Sequence, residues 1–234
     1  MKFAAAKTAT AAAALLLALA ACSEDAGSNG GNGDGGEDPV FAAMKTWDAC
    51  EVLDNLQPIT DFMGIEGWGS STAAGGEPQT REYDSTWYPD SIGCGNLIYL
   101  GENDWTGAGG ELGVAIAPAE SEDAASTLFE ERTANANAAG SGGTDFQETS
   151  ISGPWDEGFL YTWSGGGESP NTQIVARDGQ WVFTFDLDHT LDYGLENRGE
   201  PALAFTEDEL HQWLIDTYLP EVNQIVNDKI AEVQ

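Results

Sequence analysis

Residues 173–192 read QIVARDGQWVFTFDLDHTLD. Two runs rich in apolar and β-branched residues, 173–177 and 180–185, flank the dipeptide Asp178-Gly179. An Asp-Gly pair tolerates the positive φ angles that a tight hairpin turn requires. The stretch therefore predicts two antiparallel strands joined by a short turn.

The second strand continues into D-x-D-x-T-L, which resembles the first motif of the haloacid dehalogenase-type phosphatases. In that family the first Asp is the nucleophile and the second is the general acid/base, which would correspond to Asp186 and Asp188. The surroundings argue against this function, because only 42 residues follow Asp192, too few for the βα units of that fold. The only lysine among them is Lys229. We therefore interpret the motif as a strand that runs into an acidic loop.

The acidic loop has a second interpretation as a cation site. Asp186, Asp188 and Asp192 fall within seven positions, and Glu196 follows. Calcium prefers oxygen ligands of this kind. The spacing departs from the EF-hand pattern, because Leu191 stands where that loop requires glycine. A site at these three aspartates remains an alternative to a solvated loop, and no other metal and no cofactor is predicted.

Patterns on both sides of the hairpin predict an α+β domain. Helical spacing extends over 41–63 with a break and over 121–136 with Ser121 as N-cap. A capping box at Thr206 and Glu209 begins a C-terminal helical pair that Pro220 interrupts. Further strands are predicted at 81–88, 96–101, 111–118, 145–151 and 158–163. We expect an antiparallel sheet of about six or seven strands covered by helices on at least one face, two-layer or sandwich-like.

The N-terminus predicts export and a lipid anchor. A lysine-containing start followed by an uncharged run of alanine and leucine is typical of a signal peptide, here residues 1–21. The run LAAC that ends at Cys22 matches a bacterial lipobox, in which the cysteine receives the lipid. Residues 22–39 then form the lipidated cysteine and a flexible Gly-rich tether, and 40–234 form one extracytoplasmic domain. We expect attachment through Cys22 to the outer face of the cytoplasmic membrane.

The other two cysteines, Cys50 and Cys94, form an even pair once Cys22 is assigned to lipid. Outside the cytoplasm such a pair predicts a disulfide. Closing the loop between them would contribute ~4 kcal/mol in the chain-entropy model. Two free buried thiols are the alternative.

The chain is strongly acidic, with 40 Asp and Glu against 8 Lys and Arg and a formal net charge of −32. Such a surface repels phosphate groups, which excludes nucleic acid as a partner. Solubility in a salty environment, where screening reduces self-repulsion, explains the charge without a specific role. Binding of divalent cations or of a basic envelope protein is the alternative.

The chain has eight tryptophans. Three fall on predicted strands or helices and are expected in the core: Trp163, Trp181 and Trp213. Three others fall in Gly/Pro-rich loops: Trp68, Trp105 and Trp155. Loop tryptophans could stack on a glycan or line an apolar groove. The alternative is that they close the edge of the core.

Several features together resemble an actinobacterial secreted lipoprotein family of unknown function. They are the lipobox, the tether, Cys50 within WDACEVLD and Cys94 within GCGNLIYL. The sequence departs from the family pattern at Gly95-Asn96, where an aromatic residue is expected after the second cysteine. The resemblance covers most of residues 45–233. It implies an α+β sandwich on the outer leaflet, similar in shape to the extrinsic photosystem II protein fold. The resemblance implies no activity and no catalytic residues.

The expected function is a non-enzymatic, lipid-anchored binding or scaffolding module of the cell envelope. The sequence has no serine hydrolase elbow, P-loop or dinucleotide motif, and His189 and His211 have no spacing that suits zinc. A small apolar molecule, a glycan or a basic envelope protein is the expected ligand. The rival is an extracytoplasmic hydrolase with paired carboxylates in a concave site.

Overall fold

The described part of the chain is organised by one antiparallel sheet of eight strands. The computed structural model describes residues 37–83, 91–103 and 106–234. The strands are β1 (Gly67–Trp68), β2 (Gln79–Tyr83), β3 (Ser91–Asn103), β4 (Thr106–Pro118), β5 (Thr144–Ser150), β6 (Glu157–Ser164), β7 (Pro170–Asp178) and β8 (Trp181–His189). Their order across the sheet is β1-β3-β4-β8-β7-β6-β5, and β2 also pairs with β3.

The hairpin that the sequence predicted lies near the middle of this sheet. β7 and β8 pair with Asp178 opposite Trp181, and Gly179 in the turn has a φ of +53°. Side chains alternate along β8, as the pleat requires. Phe183 and Phe185 pack into one hydrophobic cluster, whereas Val182 packs into a second cluster on the opposite face.

A long helix covers the face on which Val182 lies. This helix, α4 (Glu122–Gly140), begins where Ser121 Oγ accepts the N–H of Ala124, as predicted. Phe129 and Ala136 of α4 pack against Val182 and Tyr161 of the sheet. We refer to this face of the sheet as the α4 face.

Shorter helices cover the opposite face. They are α1 (Pro39–Met44), α2 (Ala49–Val52) and α3 (Gln57–Met63) before the sheet, and α6 (Glu207–Trp213) and α7 (Leu219–Ala231) after it. A further short helix, α5 (Tyr193–Arg198), lies in the segment between β8 and α6. Residues of α1–α3, α6 and α7 share one core cluster with Phe183 and Phe185. The α+β prediction is confirmed, and helices lie on both faces in three layers.

Several strands extend further than predicted: β8, for example, ends at His189 rather than at Phe185. The strands predicted at 96–101 and 111–118 both extend into the Gly-rich stretch between them, since Glu102 pairs with Gly107 of β4. Glycine is required at Gly110, because a Cβ there would lie 1.9 Å from the carbonyl oxygen of Asp188 on β8. Close approach between strands, rather than a turn, explains this glycine.

The C-terminal helices form one continuous run. The capping box at Thr206 and Glu209 is present, as predicted. Pro220 does not break the helix: a π-helical turn, Leu214–Tyr218, joins α6 to α7 and places the proline in the first turn of α7. Pro220 has no N–H to donate, and it directly follows the irregular π-helical bonding in which the Leu219 N–H donates to the Leu214 carbonyl. Within the described ranges, no helix is long and apolar enough to cross a membrane.

Candidate ligand-binding groove

On the α4 face, the central strands carry polar side chains close to apolar ones. Asp186 and Asp188 of β8 alternate with residues of the opposite face and so point toward the α4 face. The strand register places Gln173 of β7 opposite Asp186. It also places Asn171 of β7 and Glu111 of β4 on either side of Asp188. Two short rows of hydrogen-bonding groups therefore cross the middle of the sheet.

Trp163 forms an aromatic wall beside these rows. It lies on β6 opposite Asn171 and is only partly buried. A cavity of about 230 Å³ is lined by Trp163 and by residues of α4. The lining residues are Arg132, Asn135, Ala139, Trp163, Gln173, Thr184 and Asp186.

A second cavity, of about 290 Å³, shares Trp163 and Asp186 with the first. Its lining also includes Arg81, Glu111, Gly113, Asn171, Thr172, Leu187 and Asp188. The two cavities together, defined by these residues, are named the Trp163 groove. The groove combines an aromatic ring with amides, carboxylates and two guanidinium groups, which is a lining rich in directional hydrogen-bonding partners.

Arg132 is a buried cation at the α4 side of the groove, with 3% of its surface exposed. Its Nη1 donates to Thr184 Oγ1 at 2.8 Å, and its Nη2 donates to Ser91 Oγ at 2.5 Å. Burying a charge is costly unless hydrogen bonds compensate for the lost water. The two hydroxyl groups therefore hold the guanidinium in one position at the edge of the cavity.

Arg81 and Glu111 form a looser pair at the other end. Their nearest charged atoms, Arg81 Nη1 and Glu111 Oε1, are 3.6 Å apart, and both side chains are more than a third exposed. An exposed pair of this kind contributes little to stability. Both groups can therefore turn toward a ligand at small cost.

The three predicted cation ligands do not converge on one point. Asp188 Oδ1 accepts the backbone N–H of Glu111 at 2.7 Å. The Asp192 carboxylate accepts four backbone N–H groups, those of Gly194, Leu195, Ala202 and Leu203. Within 37–83, 91–103 and 106–234, no three His, Cys, Asp or Glu residues are placed to hold a metal ion. The cation alternative at Asp186, Asp188 and Asp192 therefore has no support in the described residues.

Trp68 and Trp155, the predicted loop tryptophans that the structure describes, are buried rather than open to a ligand. Trp68 is 8% exposed and Trp155 is 7% exposed, and both belong to the main core cluster. Trp155 packs against Trp181 with ring centroids 5.0 Å apart. Their burial agrees with the alternative that loop tryptophans close the edge of the core, and Trp105 lies outside the described residues.

Sequence reasoning assigned Trp163 to the core and overlooked Arg132. Of the three tryptophans expected in the core, Trp181 is buried, whereas Trp163 and Trp213 are partly buried and pack against the two core clusters. The sequence does contain a pattern that places Arg132 on the buried side of α4. Ala125, Phe129, Arg132 and Ala136 are spaced by four, three and four residues, so Arg132 interrupts the apolar stripe of α4.

The cysteine prediction is confirmed for the pair that the structure describes. Cys50 on α2 and Cys94 on β3 form a disulfide with Cα atoms 4.9 Å apart. Both residues are buried in the main core cluster. The predicted lipid attachment site, Cys22, lies outside the described residues.

The two histidines meet at one carboxylate on the face opposite α4, which the sequence gave no reason to expect. His189 Nε2 lies 2.9 Å from Glu207 Oε1, and His211 Nε2 lies 3.7 Å from Glu207 Oε2. Thr172 Oγ1 is 3.0 Å from the same nitrogen of His211.

Thr172, His211 and Glu207 match the residue types of a nucleophile, a base and an orienting acid, but their geometry does not suit catalysis. In such a triad the acid contacts the ring nitrogen that the nucleophile does not use. Here Glu207 and Thr172 approach the same nitrogen, and Thr172 is only 1% exposed. The cluster is therefore a packing contact between α6 and the sheet.

Comparisons of the chain with known protein families, with curated proteins and with solved structures find no match. The groove geometry therefore carries the functional argument.

Proposed function

We propose that this protein is a lipid-anchored binding module of the cell envelope that holds a glycan in the Trp163 groove. The supporting observation is the placement of one partly buried indole beside two rows of amide and carboxylate groups. A sugar ring has apolar faces of C–H groups and a rim of hydroxyl groups. The indole suits the faces, and Gln173, Asn171 and Asp186 suit the rim.

The guanidinium group of Arg132 is already ordered before a ligand binds, which supports this proposal. Its two hydrogen bonds to buried hydroxyl groups restrict the guanidinium before a ligand arrives. Groups that are already ordered lose less conformational entropy on binding. Because the planar guanidinium is held in one orientation, it can donate only to sugar hydroxyl groups in matching positions. We therefore expect the groove to discriminate between sugars that differ in the configuration of these hydroxyl groups.

The test is calorimetric titration of the whole chain with a panel of neutral oligosaccharides, including fragments from the protein's own envelope. We expect at least one to bind, and Trp163→Ala to weaken that binding by about tenfold or more, since stacking aromatics dominate such sites. Asn135→Ala should also weaken binding, whereas Asn137→Ala should not. Both asparagines lie on α4, but only Asn135 lines the cavity of about 230 Å³. Equal binding by these two variants would overturn the proposal.

The hydrolase remains the second candidate, because three carboxylates, Glu111, Asp186 and Asp188, line one cavity. Glycosidases use two carboxyl groups on either side of the bond that is cleaved. Chromatography of the same oligosaccharides after incubation separates the two functions. Cleavage that disappears in Asp186→Asn would establish the hydrolase, and unchanged oligosaccharides that still bind would establish the binding module.

The membrane anchor is proposed on the basis of the lipobox and of the resemblance to the actinobacterial lipoprotein family. A diacylglyceryl group on Cys22 would partition into the bilayer at ~0.8 kcal/mol per buried CH₂. Cys22→Ser should therefore move the protein from the membrane fraction to the soluble fraction after cell lysis. Retention of this variant in the membrane fraction would contradict the anchor.

A further inference from the structure

A second groove lies on the side of the molecule opposite α4. It is a cavity of about 640 Å³ between α3, the segment before α6, α6 itself and the π-helical turn. Its lining residues are Phe62, Ala204, Phe205, Asp208, Glu209, Gln212, Trp213, Asp216 and Thr217, and these residues define what we name the acid-rimmed groove.

A stack of aromatic rings forms the apolar part of this groove. Phe62 stacks on Trp213 with centroids 4.3 Å apart and planes 8° apart. Trp213 in turn stacks on Tyr218, which is 2% exposed, with centroids 5.4 Å apart. Phe62 and Trp213 are themselves only partly buried. The stack therefore anchors two accessible rings to the core, and rigid aromatic groups of this kind often dominate binding energy.

Acidic side chains surround the rings. Asp208, Glu209 and Asp216 are exposed, and none of the Lys and Arg residues between 37 and 234 lines the groove. The formal net charge of −32 adds a long-range attraction for cations. A partner for this surface must therefore present apolar groups to the rings and positive charge to the rim.

The spacing of the acids distinguishes a peptide from a small cation. Asp208 and Asp216 are eight residues apart along a nearly continuous helical run. At a rise of 1.5 Å per residue they are ~12 Å apart along the axis. That distance matches about two turns of a helix, so one ammonium group cannot contact both carboxylates.

We propose that the acid-rimmed groove docks a basic amphipathic segment of a partner protein. Its aliphatic or aromatic side chains cover the Phe62–Trp213 pair, and its Lys or Arg side chains face Asp208 and Asp216. Amphipathic helices in apolar grooves bind in this way, with anchors three, four or seven residues apart. This proposal is independent of the Trp163 groove, because the two surfaces share no residue.

The probes are two labelled synthetic peptides of equal length and charge: an amphipathic helix of lysine and leucine, and a peptide of lysine and serine. Fluorescence anisotropy with the whole chain should give a dissociation constant about tenfold lower or more for the lysine and leucine peptide. Added salt should weaken binding of both, since charge attracts both to the protein. Equal affinity for the two peptides, or no binding of the lysine and leucine peptide, would overturn the proposal.

A matched pair of variants tests the location. Ala204→Lys places a cation in the groove, and Ala134→Lys makes the same change on an exposed alanine of α4. Both changes are at exposed positions, so both variants should fold. We expect Ala204→Lys to weaken binding of the lysine and leucine peptide about tenfold more than Ala134→Lys. Equal effects would show that the peptide responds only to net charge and would contradict the proposal.

Light scattering tests the other occupant, a second copy of this chain. A dimer that Ala204→Lys dissociates and Ala134→Lys does not would assign the groove to self-association and overturn the proposal. A monomer that binds the lysine and leucine peptide, with the predicted loss in Ala204→Lys, would establish it.

Discussion

Asp192 organises the loop between β8 and α6. One carboxylate accepts N–H groups from the first turn of α5 and from residues 202 and 203, ten and eleven positions later. Burial raises the pKa of Asp192, whereas the backbone hydrogen bonds lower it. The hydrogen bonds together have the larger effect, so the pKa lies below its ordinary value. The folded state therefore favours the ionised carboxylate.

Substituting Asp192 should open this loop. Asp192→Ala removes an N-cap and the two further contacts, and we expect it to lower the free energy of unfolding by about 2 kcal/mol at pH 7. Glu200→Ala, at an exposed position in the same loop, is the control and should have almost no effect. Urea denaturation measures both. Because the folded-state pKa of Asp192 is depressed, its contribution is lost as the pH falls below ~4. The difference between wild type and Asp192→Ala should therefore shrink at pH 3.

Asp186 and Asp188 lie at the end of β8 and Asp192 lies in the loop after it, and the three carboxylates have different roles. Asp186 lines the Trp163 groove, Asp188 accepts the N–H of Glu111, and Asp192 ties the loop together. All three are aspartates within seven positions of the sequence. Their roles differ because the deciding partners come from β4 and from residues 202–203, and a local pattern does not contain such partners.

Turns and helix caps that depend only on residues close together in the sequence were predictable. The Asp178-Gly179 turn, the Ser121 cap and the capping box at Thr206 each depend on residues within about four positions, and all three are present. The sequence did not predict the π-helical turn before Pro220, beside which Trp213 packs on Phe62 of α3 and Tyr218 packs on Phe183 of β8. The Trp163 groove was missed because it joins α4 to strands far away in the chain.

Acid should weaken the contact between α6 and the sheet. Desolvation lowers the pKa of His211, and nearby His189 lowers it further, while Glu207 and Asp208 partly oppose this. Thr172 of β7 also faces the ring. Because the folded-state pKa is depressed, the unfolded chain binds more protons near pH 6.5, and stability falls as the pH drops through that range. Wild type should lose more stability than His211→Gln between pH 7.5 and 5.5 in urea denaturation. Equal losses would contradict this origin.

At the scale of the whole molecule, the two proposed binding surfaces lie on opposite faces of the sheet. The Trp163 groove is beside α4, and the acid-rimmed groove is beside α3 and α6. A ligand in one groove therefore leaves the other accessible, which suits a scaffold that links an envelope glycan to a basic protein. The acidic surface attracts cationic segments of a partner protein and repels anionic polymers.

The disulfide connects the helical layer that contains α2 to the sheet. Cys50 and Cys94 are 44 residues apart in sequence and join α2 to β3. In the chain-entropy model, opening this loop costs ~4 kcal/mol of folding free energy, because the reduced unfolded chain gains conformational freedom. The double variant Cys50→Ala, Cys94→Ala should show this loss in urea denaturation, together with a smaller cost for the lost sulfur packing. Wild type in reductant should approach the variant, and the variant itself should not respond to reductant. An unchanged midpoint for wild type after complete reduction, verified by thiol alkylation and mass spectrometry, would contradict a stabilising cross-link.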